Sequence, residues 1–166
     1  MLFRSGLNYY MKAYVAAGPI EGFSGKGNVV TAKVGKFTLG LLFARQEDKT
    51  SDMGWAIHPP GMGRMFRFLK RYRLPIYVTE NGIADADDQH RSEFLLSHLK
   101  EVAKAICRGA DIRGYYHWSL LDNFEWDSGF APRFGLVEMD YETMARKTRQ
   151  SAYAYAKIAK ENSVEL

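Results

Sequence analysis

Apolar positions fall into short runs and helical stripes that alternate along the chain. Leu7 to Tyr10 predicts a strand. From Ala16 to Thr50 the chain is rich in glycine and polar residues, which predicts an elaborated loop. Within it, alternating patches at Val29 to Val34 and Phe37 to Leu42 predict a small hairpin. After "DMGWAIHPPG", whose prolines and glycines break regular structure, Met65, Phe68, Leu69 and Tyr72 recur at i, i+3, i+4 and i+7, predicting one packed helix face. Ile76 to Thr79 is β-branched and aromatic, as suits a buried parallel strand, and Asn81 and Gly82 end it. Leu95, Leu99, Val102 and Ile106 make a second helical stripe between His90 and Ile106, with Gly109 as a stop. Gly114 to Trp118 predicts a further strand, and Tyr155, Ile158 and Ala159 a last helix running to about Lys160.

This alternation of strand and helix is the rhythm of an α/β protein with a parallel sheet, read over 1–166 as a single domain. In such folds the loops after the C-terminal ends of the strands carry the active site. Those ends hold Asn8 and Tyr10, then Glu80 and Asn81, then Trp118 followed by Asp122, Asn123, Glu125 and Trp126. Carboxylates, amides and indoles on one rim suit a sugar: polar groups take its hydroxyls and indoles its C–H face.

Composition adds little against this. A hydrophobic share of 46% supports a globular core rather than disorder. The net charge of +4 is scattered, and its densest cluster, Arg64 to Arg73, is interleaved with Met65, Phe66, Phe68 and Leu69. That pattern reads as an amphipathic helix with a solvated face, so no nucleic acid is expected as partner. The lone Cys107 forms no internal disulfide, and no apolar run is long enough for a membrane span or a signal core, so a cytoplasmic protein without membrane contact is expected. His58, His90 and His98 show no ligand spacing, and neither a metal nor another cofactor is implied. "MLFRSGLNYY" enters directly into a strand, as though the chain began inside a larger fold.

Five segments carry a specific resemblance. "NYY", "DMGWAIHP", "PIYVTENG", "HWSLLDNFEW" and "RFGLVEMDYET" stand in the order and spacing of glycoside hydrolase family 1, the β-glucosidases and β-galactosidases. The resemblance implies a (β/α)8 TIM barrel, of which this chain is similar to the C-terminal part, about strands 6 to 8 with their helices. It implies a retaining β-glycosidase that cleaves O-glycosidic bonds of unphosphorylated β-glucosides or β-galactosides through a covalent glycosyl-enzyme. Glu80 matches the nucleophile, Tyr10 the tyrosine that hydrogen-bonds it, and Asn8 an amide near the acid/base. Glu125 and Trp126 match residues that take sugar hydroxyls, Trp118 the floor under the ring, Phe134 a residue closing the pocket, and Trp55 the aglycone flank. A carboxylate at Glu125 argues against a phosphorylated sugar, because two anions repel.

A retaining glycosidase needs two carboxyl groups roughly 5 Å apart. The family's acid/base lies in an N-E-P motif, which these 166 residues do not contain. The expected partners are therefore a β-linked glycoside or oligosaccharide together with either the missing N-terminal barrel portion or further copies of the chain. Little or no turnover is expected of the chain alone. The rival reading is a non-catalytic sugar-binding or structural relative. More ordinary roles stand beside each assignment: core packing for Trp118, Trp126, Phe134 and Tyr10, a hairpin turn for Asn81 and Gly82, turn capping for Asp122 and Asn123, and a structural role for His117.

Overall fold

Two compact units make up the chain, 1–10 with 59–166, and 11–58. The computed structural model describes residues 4–17, 29–34 and 37–165. The first unit is built on three parallel strands, β1 (Ser5–Asn8), β5 (Ile76–Asn81) and β6 (Ile112–His117), in the order β1, β5, β6. Helix α1 (Pro59–Lys70) lies in the crossover from β1 to β5, α2 (Arg91–Cys107) in that from β5 to β6, and α3 (Gln150–Glu161) follows β6. Parallel neighbours need such crossovers, because a short turn cannot return the chain to the same end of the sheet.

One face of the sheet is closed by helices. Leu7, Ile76 and Val78 pack with Met62 and Phe66 of α1 and Val102 and Ala105 of α2, all nearly inaccessible to water. The predicted stripe on α1 is thus displaced: Met62, Gly63 and Phe66 are the buried positions, whereas Met65, Phe68 and Tyr72 are 37%, 42% and 53% exposed. Of the predicted stripe only Leu69 packs against the core; helix α1 is apolar on two sides, and periodicity alone did not separate them. On α2, Leu95, Leu99 and Val102 are buried as the spacing predicts, while Ile106 is 49% exposed.

Carboxylates from the loop after β5 cap two helices. Asp85 Oδ2 accepts from the backbone N–H groups of His90 (2.8 Å) and Arg91 (2.9 Å) at the start of α2. Asp88 accepts from Ser151 N–H (2.9 Å) and Oγ–H (2.6 Å) at the start of α3. Each satisfies donors that a helix leaves unpaired and places negative charge at the positive end of the helix dipole. The buried Arg91 donates to the carbonyls of Asp85 (2.5 Å) and Arg133 (2.8 Å) and pairs with Asp88, so the loops after β5 and β6 are fastened together.

The second unit carries an antiparallel sheet in the order β2, β4, β3, formed by β2 (Tyr14–Ala17), β3 (Val29–Val34) and β4 (Phe37–Leu42). The predicted hairpin is present, paired from Val29 with Leu42 to Val34 with Phe37. Strand β2 is additional, so part of the span read as loop is sheet. Within the same span, residues 18–28 and 35–36 lie outside the described residues. Asp48 gathers this unit's polar contacts, accepting from Lys12 Nζ at 2.6 Å and Tyr14 Oη at 3.0 Å.

A short hairpin of β7 (Val137–Met139) and β8 (Arg146–Thr148) follows the loop after β6. Its three-residue strands are too brief to leave an alternating signal in the sequence. Among the described residues no helix is long and apolar enough to cross a membrane.

Candidate active site

Glu80 reaches the open face of the sheet because β5 carries one residue more than β1, and beyond Val78 one more than β6 as well. Leu7 pairs with Val78, but Asn8 pairs with Glu80. On the other side Val78 pairs with Tyr115, and Asn81 with His117. Strict alternation would put Glu80 on the buried side with Ile76 and Val78. The bulge instead leaves Thr79 exposed and Glu80 half-buried, and returns Asn81 to the fully buried side.

Tyr10 Oη donates to Glu80 Oε2 at 2.6 Å, a length typical of a hydroxyl on a carboxylate. The Tyr10 phenol is pushed far above its ordinary value, first by burial and then by the hydrogen bond and charge of Glu80, with a further contribution from Glu125. It therefore stays a donor throughout the neutral range. Phe134, 2% exposed, sets its ring edge-on to Tyr10 at 6.2 Å.

The loop after β6 brings the second carboxylate. The Glu125 carboxyl lies where burial, the Trp118 side chain and the charge of Glu80 all act on it. Burial raises the Glu125 carboxyl, Trp118 opposes that rise, and the charges of Glu80 and Asp127 add to it. Trp126, next along, is 79% exposed and holds a φ of 46°. For a bulky residue that left-handed conformation costs on the order of 1–3 kcal/mol. Glu125 N–H to Gly129 O (2.7 Å), Ser128 N–H to Glu125 O (2.9 Å) and Gly129 N–H to Trp126 O (3.1 Å) hold the turn that enforces it. The indole is thus kept out of the core by its own backbone.

The structure brings Glu80, Tyr10, Glu125, Trp118 and Phe134 together through these contacts. Asn8 is exposed and accepts from Thr79 Oγ1 at 2.6 Å. Trp55 is carried by the second unit, where its backbone N–H donates to Ser51 Oγ at 3.3 Å. Among the described residues no group of histidine, cysteine or carboxylate side chains could hold a metal ion.

Support for the site comes from residues that pattern left unassigned. Gly82 lies so close to β6 that an added Cβ would stand 1.8 Å from the Trp118 carbonyl oxygen. Asp122 is buried beneath the loop, accepting from Gly135 N–H at 2.8 Å and from both terminal nitrogens of Arg149. It is a structural anchor reaching 13 to 27 positions along the chain, not the cap of a local turn that the sequence suggested. Asn81 makes no hairpin turn, since it closes a strand that leads through a loop into α2.

The family model described as Glycosyl hydrolase family 1 matches residues 4–164. The chain belongs to glycosyl hydrolase family 1. Within this family it is similar to the β-galactosidase of Saccharolobus solfataricus, 49% identical over 116 residues, covering 69% of this chain and 24% of that one. It also resembles the 6-phospho-β-galactosidase of Staphylococcus epidermidis, 32% identical over 181 residues, covering 96% of this chain and 37% of that one. Among solved structures, a β-glycosidase from Pyrococcus horikoshii superposes with a TM-score of 0.79 at 39% identity, over 97% of this chain and 35% of its own. A β-glucosidase from Thermotoga maritima in complex with glucoimidazole gives 0.77 at 33% identity, over 96% of this chain and 34% of its own. The chain spans between a quarter and two fifths of the length of these family members. Its parallel strands with helices on one face match part of their fold.

Proposed function

We propose that the chain is the part of a retaining β-glycosidase that carries the nucleophile Glu80, corresponding to about the sixth, seventh and eighth strands of a (β/α)8 barrel. A Glu80 carboxylate oxygen bonds to the anomeric carbon as the glycosidic C–O bond breaks. Water later releases the sugar with its original stereochemistry. The observation that carries this reading is the 2.6 Å Tyr10 to Glu80 hydrogen bond at the C-terminal end of a parallel strand, beside Glu125 and Trp118.

The remaining assignments rest on the family resemblance. Tyr10 orients the nucleophile and Asn8 stands toward the acid/base. Trp118 floors the sugar site, Glu125 and the outward Trp126 take hydroxyls, and Phe134 closes the pocket behind Tyr10. Trp55 flanks the aglycone. The substrate class is an unphosphorylated β-glucoside or β-galactoside, since a second anion beside Glu125 and Glu80 is disfavoured.

The departing oxygen needs a proton, and the 166 residues contain no N-E-P glutamate to give it. Glu125 is engaged by Trp118 and assigned to the sugar. The chain alone therefore turns over little or no substrate, and its partner is the N-terminal barrel portion or another copy. Among the described residues, β1 and β6 each have a partner on one side only. Beside β6, a groove of about 680 Å³ runs between α2 and α3, lined by Leu99, Val102, Ile112, Tyr155 and Ile158. An eight-stranded barrel cannot be closed by copies of a three-stranded piece, which favours a complement of about five strands.

The test is mass spectrometry after exposure to a 2-deoxy-2-fluoro-β-glucoside whose leaving group departs without protonation, with the chain assembled with an N-terminal family portion. A glycosyl adduct on Glu80 is expected. An adduct on another residue overturns the assignment, and none at all favours a non-catalytic sugar-binding relative, the reading that the missing acid/base keeps in view. Robust hydrolysis of an aryl β-glucoside by the 166-residue chain alone would overturn the claim of inactivity.

A further inference from the structure

The bulge that turns Glu80 outward breaks the hydrogen-bond ladder where the candidate chemistry needs rigidity. A bulge leaves backbone groups without their regular partners and bends the strand. Here the gap is closed by one buried side chain. Asn81, 0% exposed, donates through Nδ2 to the Tyr9 carbonyl at 2.6 Å, and its Oδ1 accepts from Tyr115 Oη at 2.7 Å. Its backbone carbonyl accepts from Trp118 N–H at 2.9 Å, and Tyr9 N–H donates to the Glu80 carbonyl, also at 2.9 Å.

We propose that Asn81 is the positioning residue of the Tyr10–Glu80 pair, a side-chain clamp that ties the end of β1 to β6 across the bulge. The peptide groups of Tyr9 are held on both sides, the N–H by Glu80 and the carbonyl by Asn81. Tyr10 leaves this doubly held residue and returns its hydroxyl to Glu80 70 positions along the chain. The two partners are thereby fixed main chain to main chain, so that the phenol needs little further ordering to reach the carboxylate.

Chemistry selects an amide for this place. The clamp needs one donor and one acceptor on the same short side chain, which asparagine has and a carboxylate lacks. An aspartate here would set a negative charge against the Tyr9 carbonyl. An alanine would take the Nδ2 donor from that carbonyl and the Oδ1 acceptor from the buried Tyr115 hydroxyl. Burial holds the Tyr115 phenol well above its ordinary value, so it remains a donor. Tyr115 is the second half of the clamp, reached from β6.

The proposal rests on the functional reading only in taking Tyr10 and Glu80 as the working pair. Proton NMR of the full 166-residue chain reads that hydrogen bond directly. A hydroxyl on a carboxylate at this length gives a downfield resonance, assigned by its loss in Tyr10→Phe and Glu80→Gln. In Tyr115→Phe the resonance is expected to move upfield and to exchange with water at least about tenfold faster, with circular dichroism unchanged. Asn81→Ala should have a larger effect of the same kind. Tyr155→Phe loosens the same end without touching Asn81, since Tyr155 Oη contacts the Tyr115 carbonyl at 3.3 Å, and should leave the resonance in place.

An unchanged resonance in a folded Tyr115→Phe chain overturns the clamp, even where Asn81→Ala fails to fold. Equal loss in Tyr155→Phe overturns it as well, as does absence of the resonance in the unmodified chain. Failure of the glycosidase reading looks different: no adduct forms on Glu80 while the resonance and its response to Tyr115→Phe persist.

Discussion

Arg149 sets its two terminal guanidinium nitrogens against the two oxygens of Asp122, at 2.9 and 3.1 Å, with both residues buried. The pair joins the loop that carries Glu125 and Trp126 to the residue that opens α3. Arg149 also donates to the Gly135 carbonyl at 2.8 Å, and Asp122 accepts from Gly135 N–H at the same distance, so each charge has more than its ion partner.

Removing one half should therefore cost more than the pair contributes. Asp122→Ala leaves a buried guanidinium uncompensated, and urea denaturation should show a loss of about 3–5 kcal/mol. Asp127→Ala, an exposed carboxylate of the same loop, should change stability by less than about 0.5 kcal/mol.

His117 predicts how stability depends on pH. Burial, followed by the charge of Arg91, lowers its imidazole to about 3. Neither ring nitrogen has a hydrogen-bond partner, and the backbones of Phe134 and Asn81 oppose the lowering only in part. The unfolded chain takes up a proton near 6.5 that the folded chain refuses until about 3. The contribution is thus complete above the unfolded value and is lost as pH falls between the two. In that window the unfolding free energy should decline by up to about 1.4 kcal/mol per pH unit from this group. His117→Phe should flatten the slope between pH 6 and 4 relative to the unmodified chain; an identical slope would mean that other groups dominate.

Gly82 makes a steric prediction. A methyl group there meets the Trp118 backbone oxygen rather than a movable side chain. Gly82→Ala should destabilise the chain by about 1–3 kcal/mol. Because the clash pushes β5 from β6 beside Asn81, it should also weaken the Tyr10 to Glu80 hydrogen bond.

The sugar-binding role proposed for Glu125 makes a prediction about which sugar is accepted. In the assembled enzyme, Glu125→Gln should lower kcat/KM for an unphosphorylated glucoside by about tenfold to a hundredfold, the equivalent of a charge-assisted hydrogen bond. Discrimination against the 6-phosphorylated sugar should narrow at the same time, because one repelling charge is gone. Parallel kinetics with both sugars would expose a uniform loss, which would place Glu125 in the structure rather than in recognition.

Solution behaviour should follow from the second apolar side of α1. Phe68 and Tyr72 meet edge to face at 6.0 Å on that side, with Arg71 over Phe68 at 4.2 Å. If the chain self-associates through this surface, size-exclusion chromatography of Phe68→Glu should shift it toward the monomer. If the complement is a separate barrel portion, the same change should weaken capture of that portion instead.

Much of the first unit was legible because parallel strands and their crossovers write long, simple patterns. Ile76 to Thr79 is buried on alternate positions, and α2 keeps its 3.6-residue stripe for most of its length. The family motifs delivered the candidate site residues, as a resemblance rather than as physics. Three things stayed hidden. Periodicity could not say which of two apolar sides of α1 faces the sheet. The β7–β8 hairpin is too short to write a pattern. The bulge in β5 is a property of pairing, which "YVTENG" on its own does not contain; the only local hint was a carboxylate two positions after a core valine.

That extra residue gives the length of β5 a chemical meaning separate from its composition. Deleting Thr79 would keep every functional side chain in the sequence and still restore simple alternation, sending Glu80 toward the packed helices and Asn81 toward the open face. A shortening by one position would exchange the proposed nucleophile for an amide without substituting either, so in this strand spacing matters to the candidate chemistry as much as the carboxylate does.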